Sequence, residues 1–130
     1  LKQHLRPISQ DACLFYNNHG LFAEFTGVVA ELSEGDLIAE ALGQGVGAVL
    51  ANHGLLTVAK TIDACCANFV LMDSCCHSQL LAQAAGELQE IPQAIAEKTR
   101  AVAASDLVTW GNFQPLYEKL CHDDDSFLSE

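Results

Sequence analysis

The chain has 130 residues, half of them apolar, and a formal net charge of −11 from six Lys+Arg against seventeen Asp+Glu. That size allows one domain with its own core and argues against disorder, while the charge repels phosphate backbones and anionic lipid, so nucleic acid and membrane surfaces are excluded as partners. No apolar run is long enough to span a membrane, and Leu1–Pro7 carries charges with no apolar stretch of a secretory signal behind it.

Along the chain, Ser9–Tyr16 reads as helical and is broken by the turn cluster Asn17-Asn18-His19-Gly20. Phe25–Ala30 is β-branched enough for a strand. Ser33–Leu42 predicts a short helix, with Ser33 as cap, Glu34 and Asp36 in the first turn, and Gly43 as the stop. Val46–Ala51 and Leu55–Ala59 are apolar runs joined through Asn52-His53-Gly54, a pattern for a β-hairpin or a tightly bent strand pair. Both runs are apolar almost throughout, which suits strands covered on both faces by helices.

Thr61–Ala85 predicts a long helix with Thr61 as cap. Its expected buried stripe is Ile62, Cys65, Cys66, Phe69, Met72, Cys76 and Leu80, and Gly86 stops it. A further helix is expected from Pro92 to Ala103, with Pro where its missing N–H costs nothing. A short last helix is expected over Gln114–Cys121, before the charged tail His122-Asp123-Asp124-Asp125.

Six cysteines would suggest bridges in a secreted protein, yet four form the adjacent pairs Cys65-Cys66 and Cys75-Cys76 inside one helix, and there is no Cys-x-x-Cys. Neighbours on a helix point about 100° apart and pair poorly. The expectation is six free thiols, used as small apolar residues in a reducing, cytoplasmic compartment.

His53 is the candidate site residue. An ionisable side chain between two apolar strands needs a partner, whether a hydrogen bond in the fold or a metal. Zinc takes three or four protein ligands, and His4, His19, His77 and His122 make no metal-ligand spacing with His53. Spacing alone leaves the two readings open.

The run Ala48-Val49-Leu50-Ala51-Asn52-His53-Gly54-Leu55-Leu56-Thr57-Val58, followed by Lys60-Thr61-Ile62-Asp63 and the long helix, resembles the class II aldolase/adducin family. Pro7-Ile8-Ser9-Gln10-Asp11-Ala12, the Phe25–Val29 strand and the closing Trp110…Phe113-Gln114-Pro115-Leu116-Tyr117 resemble fungal members. The likeness covers essentially all of residues 1–130, as the C-terminal part of the family's domain. It implies an α/β fold, the C-terminal portion of an α/β/α sandwich with a mainly antiparallel sheet. It also implies a divalent metal, commonly zinc, held by a His-x-His pair and a later histidine, with an upstream glutamate as ligand or base. His53 matches that later histidine, and the other ligands have no counterpart in this sequence. Asp73 falls where the family often has Glu. Asp11 falls near the tyrosine that donates a proton in the sugar-phosphate aldolases, and an aspartate is no substitute for a phenol.

The expected activity is therefore that of a fragment of a metal-dependent lyase, acting by retro-aldol cleavage or decarboxylation of a small hydroxy or oxo compound. The initial Leu in place of Met points the same way, to a chain cut from something longer. The alternative is a non-catalytic, adducin-like oligomerising domain. A homo-oligomer is expected under either, with the closing aromatics capping the chain's own core or docking on a neighbour.

Overall fold

The computed structural model describes residues 2–24 and 32–129, with only the backbone of Leu32. The predicted Phe25–Ala30 strand lies outside the described residues. In order, the elements are a 3-10 turn Asp11–Phe15, β1 His19–Phe22, α1 Leu32–Leu42, β2 Gly47–Leu50, β3 Gly54–Thr57, α2 Ile62–Ala85, α3 Gln93–Ala103, α4 Asp106–Asp123 and a closing 3-10 turn Ser126–Ser129.

The described strands form one three-stranded sheet in the order β1-β2-β3. β1 runs parallel to β2, and β2 pairs antiparallel with β3 from Gly47↔Thr57 to Leu50↔Gly54. The sheet is thus mixed, because α1 carries the chain over from β1 to β2 while a tight turn joins β2 to β3. Central β2 is buried at every residue, whereas β3 is half-exposed, so helices cover both faces only at the middle of the sheet.

Alternation along β2 sends its side chains into two layers. Ala48 and Leu50 join Phe22 on one face, under Ile38, Ala41 and Leu42 of α1. Val49 enters the other layer with Leu14 and Phe15 of the 3-10 turn and Met72 and Cys75 of α2. This is an α/β/α arrangement, and two glycines allow its close approaches. A Cβ on Gly20 would sit 2.0 Å from the Ala41 carbonyl oxygen, and one on Gly47 would sit 2.8 Å from Met72 Sδ.

Several boundaries differ from the sequence expectations. The helical segment before β1 is of the 3-10 type and covers Asp11–Phe15, shorter than the expected Ser9–Tyr16. α1 begins at Leu32, so Ser33 is inside it rather than at its cap. α4 starts at Asp106 and runs through Gly111 and Pro115, poor helix formers whose cost is outweighed where the helix packs along α2.

The face of α2 also differs. Ile62 is 88% exposed and Phe69 45%, while Ala67, Asn68, Met72, Cys75 and Gln79 form the buried stripe. The helix is apolar or small nearly all round, so hydrophobicity alone does not choose its inward side. Gln79 goes inward because its amide is used there. Its Nε2 donates to His4 O at 3.1 Å, and its Oε1 accepts from Arg6 N at 2.7 Å. Gln3 and Gln83 exchange amide hydrogen bonds one turn further on, and Arg6 pairs with Glu90.

Candidate functional site

His53 is carried on the turn between β2 and β3. The peptide N–H of His53 donates to Leu50 O at 3.0 Å, closing a four-residue β-turn. Its third residue, Asn52, takes φ +59, and Gly54 takes φ +152 on leaving it. Asparagine and glycine are the residues that accept such angles at least cost, so the Asn-His-Gly order fixes the shape of the turn. Ala51 N–H donates to Phe22 O at 2.9 Å, tying the turn's base to β1. His53 is exposed at the tip and is not enclosed in the core.

No described residues bring three or more His, Cys, Asp or Glu side chains together in a way that could hold a metal. His53 is available as one ligand, and the described residues do not complete a centre around it. Asp11 is exposed at the start of the 3-10 turn and Asp73 is exposed on α2.

The other histidine of interest is His19, which the sequence placed in a turn cluster and assigned no role. Its Nε2 accepts the Leu5 N–H at 2.9 Å, and its Nδ1 lies 2.5 Å from Phe15 O, so the neutral ring with hydrogen on Nδ1 satisfies both. Burial lowers its pKa, the Phe15 bond opposes that shift, and the neighbouring His4 adds to it. His19 is a fastener between β1 and the N-terminal segment.

All six cysteines are free thiols, with Cys13 and Cys75 buried and Cys66 exposed. Desolvation first, then the negative charge of Asp11 and the neighbouring thiols, pushes Cys75 up to about 12. Such a thiol is inert. Cys65 instead works through hydrogen bonds: its Sγ donates to Thr57 O at 3.3 Å while Thr57 Oγ1 donates to Cys65 O at 3.1 Å, joining β3 to the start of α2.

The sequence model of the Class II Aldolase and Adducin N-terminal domain family matches residues 1–80, well over half of the chain. The chain belongs to this class II aldolase and adducin family. Among curated relatives it is 45% identical over 114 residues to "Decarboxylase NovR" of Streptomyces niveus, covering 88% of this chain and 42% of that protein. It is 44% identical over 114 residues to "4-hydroxy-3-prenylphenylpyruvate oxygenase/4-hydroxy-3-prenylbenzoate synthase" of Streptomyces roseochromogenus subsp. oscitans, covering 88% and 41%. The fungal likeness appears as 31% identity over 126 residues to "Meiotically up-regulated gene 14 protein" of Schizosaccharomyces pombe, covering 93% and 49%.

Among solved structures, L-fuculose 1-phosphate aldolase from Glaciozyma antarctica PI12 superposes with a TM-score of 0.82 at 31% identity, covering 93% of this chain and 45% of that one. An aldolase II superfamily protein from Pseudomonas syringae superposes with a TM-score of 0.80 at 26% identity, covering 95% and 50%. The chain therefore spans about half the length of the relatives it matches or somewhat less. Its class II aldolase fold is shared with both structures.

Proposed function

We propose that the chain is part of a lyase of the class II aldolase type that decarboxylates, or cleaves by retro-aldol reaction, a small hydroxy or oxo compound. His53 contributes one imidazole to a divalent metal, zinc in the first place, whose remaining ligands are not assembled among the described residues. The observation that carries the reading is the exposed His53 on its Asn-His-Gly turn, in a family whose relatives here are named a decarboxylase and an aldolase. When bound, such a metal polarises carbonyl and hydroxyl oxygens and stabilises negative charge developing beside a breaking C–C bond. The chain's own part is positional. The Leu50–His53 turn and its tie to Phe22 fix the backbone from which the imidazole projects at the end of the β2–β3 pair. The setting is cytoplasmic, in keeping with six free thiols.

The test is carbon dioxide release from phenylpyruvate and 4-hydroxyphenylpyruvate, and aldehyde release from small hydroxy compounds, by the protein in its full length. His53→Ala is expected to remove turnover and bound metal while leaving the circular dichroism spectrum unchanged. Full metal content and undiminished turnover in that variant reject the assignment. The 130-residue chain alone is expected to keep no stoichiometric zinc after dialysis.

A second reading, a non-catalytic oligomerising domain, is favoured by the outer side of α2, where Phe69, Val70, Leu80 and Leu81 are 43–60% exposed. Apolar side chains grouped on one helix mark an association surface. A homo-oligomer that loses its assembly on combined Phe69→Ser and Leu81→Ser substitution, with no turnover on any of these substrates, selects it.

A further inference from the structure

The buried stripe of α2 carries two amide side chains, and they differ in one respect. Gln79 has both poles of its amide bonded to backbone. Asn68 is 4% exposed, yet its side chain has no hydrogen-bond partner among the described residues. Every described side-chain N or O that is fully sealed from solvent does have a partner. The Asn68 amide is therefore not sealed. It opens on a cavity of about 530 Å³ between the β3–α2 junction and α4, which Asn68 lines.

The chemistry of that cavity is specific enough to name a ligand class. Val46, Ala59, Ala64 and the half-exposed indole of Trp110 supply apolar wall. Thr109 also lines it, but its Oγ1 is turned back on the carbonyls of Ser105 and Asp106 at 3.2 and 3.1 Å. Thr61, at the exposed rim, has its side chain bonded to the Asp63 carboxylate, which leaves Asn68 as the inward polar group with bonding capacity to spare, one C=O to accept and one NH₂ to donate. The rim carries the carboxylates of Asp63 and Asp106 and a single cation, Lys60, whose Nζ is 3.8 Å from Asp106 Oδ2. The local balance is negative, as is that of the whole chain at −11, so an anionic ligand is disfavoured. A few placed polar groups on an apolar wall are the usual make-up of a small-molecule site.

We propose that this cavity binds a small neutral or cationic aromatic molecule bearing one group that both donates and accepts hydrogen bonds, such as a carboxamide. The group pairs with Asn68, and the ring lies against Trp110. The site sits at the Gly47↔Thr57 end of the β2–β3 pair, opposite the turn that carries His53. It stands independently of the lyase reading.

Trp110 is the sole tryptophan of the 130 residues and lines the cavity, so a change in its emission is the readout. The chain is titrated with benzamide, and with benzoate as an anion of the same shape. Benzamide is expected to change the emission saturably with a Kd of about 1 mM or tighter, and benzoate to bind at least ~fivefold more weakly. Asn68→Leu, which replaces an unpartnered amide by an apolar group of similar size, is expected to raise Tm and to weaken benzamide at least ~tenfold. Absence of a saturable benzamide response, or undiminished benzamide binding by Asn68→Leu, overturns the proposal. So does a lowered Tm in that variant, because it makes Asn68 a structural amide.

Discussion

Gln79 Oε1 accepts the peptide N–H of Arg6 at 2.7 Å, so a residue in the last third of the longest described helix holds the start of the chain as a neighbouring strand would. The same amide donates to His4 O, and Gln79 is 1% exposed. Gln79→Leu keeps the volume and strands two backbone groups. The expected loss is about 2–3 kcal/mol of unfolding free energy, since unsatisfied buried groups cost more than their bonds contribute. Urea unfolding measures it, and limited proteolysis is expected to cut before Ile8 in the variant first.

Acidification is expected to loosen the same region through His19. Its folded pKa lies below the ordinary 6.5, chiefly from burial, so the unfolded chain takes up the proton more readily. The stability His19 contributes is complete above the unfolded value and declines as pH falls below it toward the folded one. A series of urea midpoints from about pH 7.5 to pH 5 is expected to fall on the acid side, and His19→Asn to flatten that fall. A midpoint independent of pH in the parent chain contradicts the assignment of a neutral ring.

Thiol reactivity is expected to separate the cysteines by position. Cys66 is exposed, while burial raises the pKa of Cys13 and takes Cys75 to about 12. A disulfide reagent at neutral pH is expected to modify Cys66 in its first phase, and Cys13 and Cys75 only after unfolding. The denatured count is expected to be six. Fast modification of Cys75 in the folded chain contradicts its placement.

Gly20→Ala tests the contact between β1 and α1. The added methyl meets the carbonyl of Ala41 at 2.0 Å, and backbone cannot yield as a side-chain tip can. The expected cost is about 3 kcal/mol or more, at the upper end of overpacking effects. Guanidinium unfolding measures it, and a neutral result places β1 further from α1.

The sequence was legible where chemistry is local. Asn52-His53-Gly54 announced a hairpin turn, and Gly43 and Gly86 announced helix ends, because few residues accept those backbone angles. It was not legible where a partner far along the chain decides. Gln79 and Asn68 are the polar residues on the buried stripe of α2, and their inward direction depends on segment 4–6 and on α4. The expected stripe through Ile62 and Phe69 placed those residues inward, and both are exposed. Likewise α4 runs through Gly111 and Pro115, where propensity predicts a break, because packing on α2 outweighs it. As for the metal, one imidazole on a turn can be read from sequence as a possible ligand, but a centre is a property of several side chains meeting.

The mixed pairing of the sheet imposes an order of assembly. β2 and β3 close through Ala51, Asn52 and His53 alone, so their ladder forms from neighbours at little entropic cost. β1 reaches β2 in parallel only after the whole of α1 has crossed over. The hairpin is expected to form first, and docking of His19–Phe22 beside it to be the slower, later event. Substitutions at the Asn52 turn will then act on the folding rate, whereas Gly20 substitutions will act chiefly on how fast the finished sheet comes apart.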